Sequence, residues 1–171
     1  MEKKLLLEVK NLVTEFKTEE GIVKAVNDVS FNLYRGETIG IVGESGSGKS
    51  VTSLSIMRLI PNPPGRIASG QIIYHTKDGK QVDLAQLSED EMRKYRGDEI
   101  SMIFQEPMTS LNPVFTCGDQ VAEAIMLHQK TTKKQAQELT LQMFEKVKLP
   151  NPQRVWNAYP HQLSEDRNNV R

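Results

Sequence analysis

One short run, Gly43-Glu44-Ser45-Gly46-Ser47-Gly48-Lys49-Ser50, constrains this chain more than any other feature. It fits G-x-x-x-x-G-K-[ST], a phosphate-binding loop that needs a strand before it and a helix after it. Both flanks read that way. Thr38 to Val42 is apolar on both faces, as a strand buried inside a sheet is. Lys49 to Ile60 reads as a helix, ended by Pro61-Asn62-Pro63-Pro64-Gly65. Chemistry explains the spacing. Glycines let the loop wrap with its N–H groups inward, making an anion nest. The helix start adds unpaired N–H groups and the positive end of its dipole. Lys49 can reach the β- and γ-phosphates as a point charge. Ser50 can offer oxygen to Mg²⁺, a hard ion. The competing reading is a plain glycine-rich turn between strand and helix.

The remaining residues set the frame. With 171 residues the chain is one domain, or one and a fragment, since domains run about 100–200 residues. Twenty-two basic residues balance 22 acidic ones, so no global positive field draws in nucleic acid. A local anion site built from amides is still open. Cys117 is the single cysteine, which excludes an internal disulfide and four-cysteine metal sites and makes a cytosolic compartment the default. No apolar run approaches the roughly 20 residues of a spanning helix. The start, Met1 to Glu8, is too short in apolar residues for a signal-peptide core.

Leu5 to Phe16 is β-rich, Thr18-Glu19-Glu20-Gly21 is a turn, and Ile22 to Val26 follows. Val29, Phe31 and Leu33 then alternate with polar residues and Tyr34. Arg35-Gly36-Glu37 turns the chain into the strand before the loop. Gln71 to His75 reads as a strand and Lys77-Asp78-Gly79-Lys80 as a turn. Ser88-Glu89-Asp90-Glu91 is a capping box that should start a short helix ending near Gly97. Ile100 to Phe104 reads as another buried strand. After Asn112-Pro113 the pattern is helical, with one stripe through Val121, Ile125 and His128 and another through Ala136, Leu139, Met143 and Val147. A glutamine directly after a buried strand, as Gln105 is, lies at a sheet rim where ligands bind. Its neutral amide can touch both Mg²⁺ and a water; the plainer reading is a loop residue capping a strand end.

The phosphate loop, the string Gln105-Glu106-Pro107-Met108-Thr109-Ser110-Leu111-Asn112-Pro113 and Tyr159-Pro160-His161-Gln162-Leu163-Ser164 together resemble the ATP-binding subunit of an ABC transporter. The likeness is to the bacterial importers of dipeptides, oligopeptides and nickel, and it covers Leu5 to about Ser164. It implies an α/β P-loop NTPase fold, an incomplete ABC-type nucleotide-binding domain. Residues 1–112 would form the β subdomain and the core through Gln105, 113–164 a partial helical subdomain, and 165–171 an unrelated polar tail. Gly43 to Ser50 would be the Walker A loop that binds ATP. Ser50 and Gln105 would touch Mg²⁺, and Gln105 the attacking water. Glu106 to Pro113 would sense the transmembrane subunit. Phe16 stands where the family stacks an aromatic on adenine; a strand-end core phenylalanine is its other reading. Implied partners are transmembrane permease subunits and a second ATP-binding subunit, with the chain cytoplasmic and peripheral on the inner face of the membrane. Peptide and nickel are both open as the cargo.

Plainer readings go to the other candidates: Cys117 an ordinary thiol at a helix start, His128 a boundary position, His75 a strand-end surface residue, and Glu89-Asp90-Glu91 a solvated helix start. The sequence departs from the family at its signature, Leu-Ser-Gly-Gly, because Leu163-Ser164 is followed by Glu165-Asp166. Carboxylates there would face a γ-phosphate where donors are needed. No Walker B strand, D-loop or switch histidine follows. The expectation is therefore the front part of a longer ATPase, inactive by itself. The alternative is a non-hydrolysing nucleotide-binding or regulatory fragment, and a small P-loop kinase is a third reading that lacks an arginine-rich lid.

Overall fold

The computed structural model describes residues 3–105 and 110–166. They fall into two compact units, 1–102 and 103–171, each described by itself.

The first unit is built on an antiparallel sheet. β1 (Leu5–Thr18) and β2 (Gly21–Tyr34) form a hairpin, β3 (Gly65–His75) lies on the other side of β1, and β4 (Gln81–Asp83) pairs β3, giving the order β2-β1-β3-β4. Both expected turns form. Thr18 Oγ1 donates to Gly21 O at 2.9 Å, and Thr76 N donates to Lys80 O at 3.0 Å. The two expected pieces, Ile22–Val26 and Val29–Leu33, are one long strand interrupted by a bulge. Asn11 and Asp28 absorb it in left-handed conformations, φ 46 and 58, and Asn11 Nδ2 donates to Asp28 Oδ1 at 2.8 Å. Asn and Asp are the residues that adopt that conformation at least cost. The core gathers Leu7, Val9, Leu12, Ile72, Leu84 and Met92 under one face.

α1 (Lys49–Ile56) is pinned to β1 by two fully buried hydroxyls. Ser55 donates to Val51 O, so its partner Thr14 donates to Ser55 Oγ at 2.8 Å. The helix is shorter than the expected Lys49–Ile60. Arg58 turns left-handed, φ 51, and Leu59 N bonds back to Leu54 O, closing the helix before the prolines. The capping box at Ser88 forms and starts α2 (Glu89–Met92).

Two expectations fail here. Neither Thr38–Val42 nor Ile100–Phe104 forms a ladder strand, apart from an isolated bridge between Arg96 and Ile100. Val42 is 92% exposed, as is Ile103. A strand of this apolar kind needs neighbours on both edges, and no described residue pairs with either run beyond that bridge.

The second unit is helical: α3 (Cys117–Gln129), α4 (Lys133–Lys146), α5 (Pro152–Asn157) and α6 (Pro160–Asp166). Thr116, Thr132 and Asn151 cap the first three, each accepting a backbone N–H. Ala122, Ile125, Ala136, Phe144, Val155 and Trp156 make the core. Gly118 lies on the Trp156 indole, where a Cβ would come within 2.3 Å of the ring. The buried stripe of α4 is Ala136, Thr140 and Phe144, one step from the expected Ala136, Leu139, Met143 and Val147; Met143 and Val147 are exposed. Thr140 can be buried because its hydroxyl donates to Ala136 O at 2.8 Å. His128 is exposed and Cys117 is buried, its thiol pushed up by burial. Of the expected tail 165–171, only the backbone of its first two residues lies among those described.

Candidate functional site

The loop from Gly43 to Ser50 ends where α1 begins. Gly48 is the residue that joins them, in a left-handed conformation with φ 87. A Cβ on it would lie 2.2 Å from Ala25 O, so the turn passes against the backbone of β2 and admits only glycine. This contact seats the loop on the sheet. Next to it opens a cavity of about 350 Å³ whose walls include Lys24, Ala25 and Asn27 of β2 and Gly46 and Ser47 of the loop.

Lys49 folds over the loop. Its ammonium donates to Gly43 O at 2.7 Å, Glu44 O at 2.5 Å and Ser47 Oγ at 3.2 Å. All three protons thus hold the loop in a ring around the charge. The backbone tightens it further, with Ser47 N donating to Glu44 O at 3.2 Å. At the start of α1 no side chain caps the helix and the first turn carries no acidic residue. Its leading amides remain open to an anion, at the positive end of the helix dipole. Ser50 is exposed on that first turn. Among the described residues no group of three or more His, Cys, Asp or Glu could hold a metal.

Phe16 lies in the same unit at the far end of β1. It is half-buried, and its ring edge packs over Gly65, where a Cβ would come within 2.6 Å of Cε1. Gln105 lies in the second unit and is exposed. The expected partner-sensing stretch, Glu106 to Pro113, has its first four residues outside those described. Its end is held by a side chain that the sequence reading missed. Gln120 accepts from Asn112 N at 2.8 Å and donates to Asn112 O at 3.0 Å and Phe115 O at 3.1 Å. The β2 residues beside the loop were missed as well. The glycine at 48 signals a close neighbour, but the identity of that neighbour is a matter of tertiary contact.

The profile of the ABC transporter family matches residues 26–168. The dipeptide transport ATP-binding protein DppD of Bacillus subtilis is 51% identical over 159 residues, which is 93% of this chain and 46% of DppD. The oligopeptide transport ATP-binding protein OppD of the same organism is 50% identical over 159 residues, 93% of this chain and 43% of OppD. The glutathione import ATP-binding protein GsiA of Pectobacterium atrosepticum is 47% identical over 161 residues, 94% of this chain and 26% of GsiA. The chain spans about half the length or less of the curated relatives it matches. Among solved structures, the dimeric bacterial ABC transporter cassette MJ0796 superposes with a TM-score of 0.75 at 26% identity, over 92% of this chain and 62% of that one. The same cassette in a post-hydrolysis state, bound to ADP and Pi, gives 0.76 at 25% identity with the same coverage. The phosphate loop, the fold around it and these matches make the chain a member of the ABC transporter family.

Proposed function

We propose that this chain is the ATP-binding part of an ABC importer for dipeptides or oligopeptides. The observation that carries the reading is the phosphate loop. It has an uncapped helix start, an ammonium ringed by loop acceptors and a glycine wedged against β2. The names of the relatives, for dipeptide, oligopeptide and glutathione transport, favour a peptide cargo over nickel. Lys49 and the amides of Gly46 to Ser50 hold the phosphates. Ser50 would give its hydroxyl to Mg²⁺, which would supply charge neutralisation for the phosphates. Gln105 orients the attacking water, and the Phe16 ring stacks on adenine. The remaining parts of the reading are docking on permease subunits at the inner face of the membrane and pairing with a second ATP-binding subunit. Among the described residues no helix is long and apolar enough to cross a membrane.

The test is ATP binding by the purified chain, measured by calorimetry with Mg²⁺ present. Binding that is lost in Lys49→Ala is the expected result; equal affinity in the two proteins sinks the proposal. A second reading, a nucleotide-binding fragment that does not hydrolyse ATP, is favoured by Glu165-Asp166 standing where the family has two glycines. Steady Mg²⁺-dependent phosphate release that disappears in Lys49→Ala would eliminate it.

A further inference from the structure

α1 ends without a glycine, and the way it ends leaves work for another residue. Arg58 takes the left-handed position and its N–H bonds to Ser55 O at 3.0 Å, while Leu59 N bonds to Leu54 O at 2.8 Å. The carbonyls of Met57 and Arg58 then project beyond the helix. Arg96 takes both. Its Nε donates to Met57 O at 2.8 Å and its Nη2 to Arg58 O at 2.7 Å. Its Nη1 pairs with the carboxylate of Glu89, the first residue of α2. Only 18% of the Arg96 side chain is exposed. A planar fork with five donors can satisfy two carbonyls and a carboxylate together, and an ammonium cannot. The positive charge also sits at the negative end of the α1 dipole.

Arg96 is fixed in its own right. Ile100 N donates to Tyr95 O at 2.9 Å, Gly97 N to Ile100 O at 2.9 Å, and Tyr74 of β3 donates its hydroxyl to Glu99 at 2.8 Å. The turn that carries Arg96 is therefore anchored to the sheet, and Arg96 transmits that anchorage to the far end of the phosphate-loop helix. Thr14 of β1 also holds the helix, at Ser55. We infer that Arg96 is a positioning residue for nucleotide binding: it holds the C-terminal end of α1 so that the amides at its N-terminus and Lys49 stay aligned on the phosphates. This rests on the reading of Gly43 to Ser50 as an ATP site.

The experiment uses the full chain with Arg96→Ala, Arg96→Lys and Lys49→Ala. ATP affinity and amide hydrogen exchange are measured with and without methylguanidinium. Part of the loss of the two charge-assisted hydrogen bonds reaches the phosphate site, so Arg96→Ala should bind ATP about tenfold more weakly. Exchange should speed up at residues 53–59 while β1 keeps its protection. Methylguanidinium should restore most of the affinity, which a general loss of fold would not allow. Arg96→Lys, which keeps charge and stem and is the variant of choice if the alanine form does not fold, should fall between. Wild-type affinity in either Arg96 variant, unchanged exchange at 53–59, or no rescue of a folded Arg96→Ala overturns the proposal. If the wild-type chain binds no ATP, or binds it equally with Lys49→Ala, the ATP-site reading fails and the role assigned to Arg96 in nucleotide binding falls with it.

Discussion

Phe16 shows how one residue can answer to two physical demands. Its ring edge packs on Gly65, and the proposed function gives the ring to adenine. The two roles separate by experiment. An aromatic stack adds about 0.5–1.5 kcal/mol beyond burial, so Phe16→Ala should weaken ATP binding roughly two- to twelvefold. Tripolyphosphate, which has no base, should bind equally to both proteins in a competition assay. Equal losses for both ligands would assign Phe16 to packing alone. Gly48 is less ambiguous. Gly48→Ala puts a methyl group against Ala25 O in a conformation that L residues avoid, so the loop must move. The expected outcome is loss of ATP binding, with the far-ultraviolet spectrum of the sheet unchanged. The motif pattern made Gly48 and Lys49 legible because the chemistry of the loop is local. Arg96 and Gln120 were not legible: Arg96 holds carbonyls 39 and 38 residues away in the chain, and the partners of Gln120 are backbone groups, which leave no mark in the sequence.

Among the elements, α4 separates period from phase. Its helical period is readable from the sequence, but its buried face runs through Ala136, Thr140 and Phe144. A threonine reads as polar until its hydroxyl finds Ala136 O. Phe144→Ala should therefore destabilise the helical unit by about 3–5 kcal/mol. Met143→Ala, at an exposed position, should cost less than about 1 kcal/mol. Urea unfolding followed through Trp156 fluorescence compares the two, and similar costs would place the face wrongly. The α2 cap needed no tertiary help, because Ser88 and Glu91 satisfy one another within a single turn. Thr38–Val42 is the opposite case. Its composition is that of a buried strand, but a strand is a property of a pair, and no described residue lies beside it in a ladder.

For the whole molecule, two consequences follow from exposed apolar surface and from one buried phenol. Ile41 and Val42 in the first unit and Ile103 in the second leave apolar area in water. The chain should therefore self-associate as its concentration rises, seen as growing mass in light scattering; a monodisperse monomer throughout would contradict this. Tyr74 sits in the sheet core, where burial first and its hydrogen bond to Glu99 second push its pKa from 10.0 to about 12. The folded chain holds that proton more tightly than the unfolded one. The stability Tyr74 contributes is thus complete below pH 10 and is lost as pH rises toward 12. Urea midpoints should fall across that window, and Tyr74→Phe should flatten the fall. What the sequence by itself determined is whatever depends on neighbours in the chain: the phosphate loop, the helix caps, the turns and the family motifs. What only the tertiary structure decided is whatever depends on a distant partner. That includes the bulge within β2, the α4 face, the Arg96 fork and the lack of a ladder partner for Thr38–Val42 among the described residues. Burial and pairing are satisfied across space, and a linear pattern records the need for a partner without recording which residue meets it.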